Sequence, residues 1–178
     1  MDTPNTADSN PYFLTTTRLG FRRWRTADLP LALSLWGDPS VTQLIGGPFS
    51  EEAIKKKLDR EIATQASYGV QYWPIFLLDG NAHSGCAGLR PHWLELKVYE
   101  LGFHLRPAYR GKGLAVEAGR AVVSYAFDTL GAGTLFAGHH PQNGASKKVL
   151  VRLGFQFTHE EFYAPTGLMH PSYILTRR

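Results

Sequence analysis

Only one cysteine, Cys86, occurs in 178 residues. No internal disulfide can form, and a reducing cytoplasm is the expected compartment. Long apolar runs are missing too: the longest, Tyr72 to Leu78, falls far short of the ~20 residues a membrane helix needs. The first seventeen residues contain no Lys or Arg and no apolar core, so no secretory signal is expected. Charge of one sign is scarce. With 19 Lys+Arg against 15 Asp+Glu the net charge is +4, compatible with a phosphate-bearing partner but too weak to argue for nucleic acid. Disorder is excluded, since 43% of residues are hydrophobic and only 19% charged. A chain this long can bury ~70% of its unfolded surface, enough for a full core without metal or disulfide.

Residues 1–17 are polar, contain Pro4 and Pro11, and read as a loose lead; residues 18–178 read as one domain. Arg18 to Trp24 alternates like a short strand. Thr26 is placed to cap a helix that buries Leu29, Ala32, Leu33 and Trp36 and stops at Gly37. Ser50 caps the next, where Ile54, Leu58, Ile62 and Ala66 form one apolar stripe up to Gly69. Tyr72–Leu78 and Cys86–Arg90 then form a hairpin about Asp79-Gly80-Asn81, followed by a strand Val98–Leu105. A helix over 113–127, a strand over 134–139, a helix over 143–152 and a closing strand pair complete the order. The pattern predicts an α+β chain with a mixed sheet covered by helices.

The segment from Leu101 to Ala115 is the most informative. A strand runs into Arg110-Gly111-Lys112-Gly113, and a helix starts at once, which aims backbone N–H groups and the positive helix end at one spot. Glycines let a pyrophosphate approach, and Arg110 and Lys112 add cations. By themselves the glycines fit a plain tight turn equally well. Two phosphate motifs fail here. Gly113 follows Lys112 where a P-loop needs Ser or Thr, and Val116 stands where the dinucleotide pattern needs its third glycine.

Arg110-x-x-Gly113-x-Ala115 resembles the Arg/Gln-x-x-Gly-x-Gly/Ala signature of GNAT-superfamily acetyltransferases. Asn143-x-x-Ser146 followed by Leu153-Gly154-Phe155 is similar to the RimJ/RimL branch, which acetylates protein N-termini and various small amines. Arg18-Leu19, Asp38-Pro39 and Glu100-x-Gly102 resemble the same branch, so the likeness spans residues 17–177. The resemblance implies a three-layer fold with a central twisted sheet of six to seven strands. It also implies acetyl-CoA held between splayed strands ending near Leu105 and His139. The pantetheine arm would pair with the backbone of Phe103, His104 and Leu105, where a main-chain N–H would polarise the thioester carbonyl. The pyrophosphate would lie on the loop made by Arg110, Gly111, Lys112, Gly113, Leu114 and Ala115. Asn143 would contact pantetheine or substrate, and Lys147 would reach a CoA phosphate.

Direct attack by an amine needs two proton movements. Ser146 is the candidate donor to the departing thiolate, by likeness to the branch; alternatively it decorates a short helix. Many relatives use a tyrosine four residues before the glycine of Leu-Gly-Phe, where this chain has Leu150. Glu100 is the candidate base, with an exposed strand charge as its bland alternative. His104 alternates to the same strand face and is a second candidate, and a water chain is a third. Val41–Phe49 and the hairpin between Phe162 and Pro171 are expected to form the acceptor pocket, walled by Trp36, Leu44, Ile45, Phe49 and Tyr163. With no acidic residue in Val41–Phe49 or Ala164–Pro171, the expected acceptor is a single amine on a neutral or apolar body. A small-molecule amine acetyltransferase and a non-catalytic acyl-CoA sensor are the rivals. No metal ligand set, membrane partner or nucleic-acid partner is expected, and a homodimer stays open. Lys55-Lys56-Lys57 reads as a solvated helix face, Cys86 as core, and the four tryptophans as core or pocket wall.

Overall fold

The computed structural model describes residues 10–177; residues 1–9 of the expected lead lie outside them. Eight strands form one sheet in the order β1-β2-β3-β4-β5-β6-β8-β7. They are β1 (Leu14–Thr15), β2 (Leu19–Phe21), β3 (Tyr72–Leu77), β4 (His83–Trp93), β5 (Val98–Leu105), β6 (Thr134–Gly138), β7 (Gln156–Tyr163) and β8 (Leu168–Thr176). Among the described residues only β5 and β6 run parallel. The helices are α1 (Leu29–Trp36), α2 (Pro39–Thr42), α3 (Glu51–Tyr68), α4 (Leu114–Ser124) and α5 (Gly144–Leu153).

The eighth strand comes from the lead, which is not loose up to residue 17. Phe13 N donates to Phe21 O at 3.0 Å, and the Phe13 ring meets Trp73 and Tyr125 edge-on. An aromatic contact of this kind anchors a segment that carries no local strand signal. Thr26 does not cap α1. Asp28 sits at the N-cap, and its carboxylate takes both Arg22 nitrogens, at 2.7 and 2.8 Å, together with Arg25 N. Arg22 and Arg25 hold this carboxyl below its usual range against the opposing effect of burial.

Strand alternation builds the layers. Trp73, Ile75, Ala87, Leu89 and Leu101 face the core under α4, while Tyr72 and Cys86 face the core under α1 and α3. Ser50 Oγ accepts from Ala53 N at 3.2 Å to start α3, and Gly69 ends it in the left-handed region. Trp93 departs from expectation: it is 56% exposed, its ring tilted against His92 with centroids 4.6 Å apart.

His83, at the start of β4, is buried with no hydrogen-bond partner on either ring nitrogen among the described residues. Its ring lies between Trp24 and Phe76. Burial, then the Arg106 charge, pushes it down to about 4. Its unfolded value is higher, so the unfolded chain binds more protons between pH 4 and 6.5. Stability is therefore complete above that window and falls as pH drops through it. We expect urea unfolding at pH 7 and pH 4.5 to show wild type losing about 2 kcal/mol more than His83→Phe. Equal losses would mean that His83 is not held neutral.

Candidate active site

β5 and β6 share three register pairs, Val98–Thr134, Tyr99–Leu135 and Glu100–Phe136, and then part. β5 stays on β4 as far as Leu105, and β6 stays on β8 through Gly138. From Leu101 onward, no strand among the described residues pairs with the β5 edge that faces β6. Unpaired backbone donors and acceptors there suit an extended ligand that carries amides.

Below the opening, residues 110–113 lead into α4. Gly111 and Gly113 have φ of +73° and +76°, a region that favours glycine. A Cβ on Gly111 would meet nothing within 4 Å, and one on Gly113 only Arg18 Nη2 at 3.7 Å. Gly113 is the N-cap of α4, and no side chain among the described residues caps its first-turn N–H groups. The cations are arranged differently from the expectation. Arg110 donates to Leu105 O at 3.1 Å and to Ser40 O at 2.9 Å, so it braces the loop against the segment holding α2. Arg18, which sequence spacing gave no reason to place here, donates to Lys112 O at 3.0 Å and grips Glu117 with two nitrogens, at 2.7 and 2.6 Å. Lys112 is exposed, with Nζ 5.8 Å from the Tyr109 ring.

The face under α1 and α3 carries a linked polar set. Buried Glu61 accepts from Tyr72 N at 2.9 Å and pairs with Arg90. The Arg90 guanidinium lies 4.0 Å over the Tyr72 ring, and Tyr72 OH donates to Glu100 Oε1 at 3.2 Å. Gly102 makes this reach available, because a Cβ there would stand 2.3 Å from the Tyr72 hydroxyl. Glu100 thus sits where the two strands part, tied to an aromatic floor. His104 shares that face but is not arranged as a base. Its Nδ1 accepts from Trp36 Nε1 at 3.2 Å, which leaves the proton on Nε2. Burial, then the Lys57 and Arg90 charges, holds it well below the ordinary histidine range, so it stays neutral. Trp36 has no exposed surface and supports His104 from beneath instead of lining a pocket.

Across the opening, Asn143 caps α5, its Oδ1 accepting from Ser146 N at 3.0 Å. That fixes the amide so that Nδ2 remains a donor. Ser146 is half-buried in the first turn, Lys147 is exposed beside it, and Leu150 is buried in the core with no proton to give. The β7–β8 hairpin brings Tyr163 near Glu100, whose charge adds to burial in raising the phenol above its usual range. A Cβ on Gly46 would meet Pro165 at 2.9 Å, so the loop holding half-buried Leu44, Ile45 and Phe49 touches this hairpin. The Tyr163 ring lies 4.7 Å from His170, and His170 lies 5.5 Å from His140. Among the described residues no group of three or more His, Cys, Asp or Glu is arranged to hold a metal ion.

The profile of the acetyltransferase (GNAT) domain matches residues 18–156. The chain belongs to the GNAT acetyltransferase family. The uncharacterized N-acetyltransferase YnaD of Bacillus subtilis is 27% identical over 144 residues, which cover 80% of this chain and 82% of that one. The crystal structure of an acetyltransferase from Agrobacterium tumefaciens superposes with a TM-score of 0.80 at 26% identity, covering 92% of this chain and 94% of that one. RimL, a ribosomal L7/L12 alpha-N-protein acetyltransferase solved with coenzyme A, shares the fold with a TM-score of 0.77 at 19% identity, covering 90% and 95%.

GNAT acetyltransferases use acetyl-CoA, and the geometry of this chain fits that group. An amide-bearing arm suits the open β5 edge, and a pyrophosphate suits the uncapped N-terminus of α4 beside Gly111 and Gly113. Bound there, the thioester supplies an activated acetyl carbon. Gly113→Glu would put a carboxylate and a strained backbone in that cradle. Wild type at 100 Kd of CoA should gain about 2.7 kcal/mol of thermal stability. The variant should gain almost nothing while keeping its circular dichroism, and an unchanged gain would move the phosphate site elsewhere.

Proposed function

We propose that this enzyme acetylates a single primary amine, either a protein N-terminus or an amino-acid-like amine, in the cytoplasm, where Cys86 stays a buried free thiol. The observation that carries the acceptor reading is the charge balance under the parting strands. Arg90 is ion-paired with Glu61 and reaches Glu100, its register partner across β4 and β5, only through its charge, so Glu100 is the one carboxylate of this set in no ion pair, and its hydrogen bond comes from a neutral phenol. A polycation would need several ammonium groups desolvated together, and this face has one carboxylate to offer them. RimL, whose own acceptor is a protein α-amine, shares the fold and supports the same direction.

Each residue then has a task. Glu100 takes the proton that the acceptor ammonium must lose before it can attack. A β5 main-chain N–H steadies the oxygen of the tetrahedral intermediate. Ser146 gives a proton to the leaving thiolate, and Asn143 Nδ2 orients the arm that carries it. Leu44, Ile45, Phe49 and Tyr163 wall the acceptor body.

Ser146→Ala should lower kcat by about 10²–10⁴ with CoA affinity little changed, since proton donation matters in the transition state. A loss below about threefold, well short of that range, would return Ser146 to a structural role. For the acceptor, kcat/KM is compared between a neutral N-terminal peptide and spermidine. The peptide should win; spermidine ahead by more than about tenfold, or ~1.4 kcal/mol, would make the enzyme a polyamine acetyltransferase. Coenzyme A binding without turnover on any amine would make it a sensor.

A further inference from the structure

A row of aromatic rings begins beside Glu100. Phe136 of β6 is the register partner of Glu100 on β5, so both side chains leave the same face of the sheet, on strands ~4.8 Å apart. The Phe136 ring stacks on His92 of β4, with centroids 4.2 Å apart and planes 5° from parallel. His92 in turn meets the Trp93 ring at 4.6 Å. A register shift between Pro91 and Trp93 makes this possible, because it leaves His92 out of the β4–β5 ladder and frees its ring to lean over β5.

Phe136 and His92 are half-buried and Trp93 is exposed, yet none of the three belongs to either hydrophobic core. A solvent-facing apolar strip that is continuous with a carboxylate suits a binding groove better than a fold requirement. Its direction is set by the ladders. Trp93 pairs with Val98, on one side of Glu100 along the strand axis, whereas Tyr163 pairs with Leu168, beyond Ile174 and Phe136 on the other side. Glu100 therefore stands between the Tyr163 wall and the strip. Two ring steps beyond Phe136 match about three residues of extended chain, at ~3.3 Å each. A free amino-acid amine held at Glu100 has no part that reaches Trp93, and a peptide has.

We propose that Phe136, His92 and Trp93 form a subsite for the polypeptide that follows the acceptor amine, selecting N-termini with apolar or aromatic second and third residues. The inference rests on the single-amine acceptor reading and narrows it to peptide N-termini. With the amine at Glu100, the second side chain lies against Phe136 and the third reaches His92 and Trp93. Stacked and tilted rings offer both faces and edges, which suits aromatic guests.

The test measures kcat/KM at saturating acetyl-CoA for three amines. One is a tripeptide amide with alanine first and phenylalanine second and third, one has serine at both later positions, and one is alanine amide. The phenylalanine peptide should lead each of the others by about tenfold, through KM with kcat little changed, as added binding shared by ground and transition states requires. Trp93→Ala should cut that lead to about threefold or less while keeping the thermal stabilisation by CoA. Damage to the fold lowers turnover of all three amines alike, so the ratio reads the subsite. Equal turnover of the two peptides, alanine amide matching the phenylalanine peptide, or a lead that survives Trp93→Ala would each overturn the proposal and leave the acetyltransferase standing. A dimer in light scattering that Trp93→Ala splits into monomers would make the strip a subunit interface and overturn it as well. Turnover of spermidine but of none of these three amines overturns the acceptor reading itself.

Discussion

Beyond Glu100 and Phe136 the parallel strands β5 and β6 stop sharing hydrogen bonds, and each keeps only its antiparallel neighbour. A sheet does not leave backbone groups unpaired without a substitute, since a buried donor or acceptor left unmet costs about 1–3 kcal/mol. On the proposed reading the substitute is a ligand that carries its own amides. The opening is held by what flanks it: eight register pairs secure β5 to β4, and five secure β6 to β8. The phosphate loop at its foot is braced by Arg110 and Arg18, whose guanidinium groups bind main-chain carbonyls. Charge near that loop acts partly as scaffolding.

The opposite requirement governs the face beneath α1 and α3. A carboxylate as deeply buried as Glu61 is tolerated only with full hydrogen bonding and a counter-ion, and Tyr72 N and Arg90 provide both. Arg90 in turn lies flat on the Tyr72 ring, so the phenol is pinned from above while Gly102 makes room for its oxygen. The chain Glu61–Arg90–Tyr72–Glu100 therefore fixes one carboxylate at the point where the strands diverge. His104 and Trp36 complete this floor as a neutral hydrogen-bonded pair.

Much of this was legible in the sequence because it is local. Strand alternation put Glu100, Gly102 and His104 on one face, and the Arg110–Ala115 segment showed a strand, a glycine turn and a helix start within a few residues. What was hidden depends on distant contacts. Arg18 joins the Arg110–Gly113 loop only because the residue just before β2 meets α4 at Glu117, 99 residues away in sequence. The lysine run shows the same limit. Its composition describes Lys55 and Lys56, while the turn of α3 and the position of Trp36 decide that Lys57 is not solvated. The base role first open to His104 fails for a similar reason, since a tautomer is set by its partner and the partner sits 68 residues earlier. Trp36 appeared suited to a pocket wall by residue type, yet its complete burial is a tertiary fact.

Every residue of β7 is exposed, and the strand is joined to the sheet only through β8. Its hairpin meets the 41–49 loop where Pro165 touches Gly46, and neither residue belongs to a hydrophobic core. The two halves of the reaction thus stand on unequal foundations. On the proposed reading, carrier recognition is built into the centre of the sheet, where a substitution disturbs packing on both faces. On the same reading, the Tyr163 side of the acceptor wall hangs from an outrigger whose side chains can be exchanged at little thermodynamic penalty. Over descent, such an arrangement lets the recipient of the acetyl group drift among lineages while the donor stays the same.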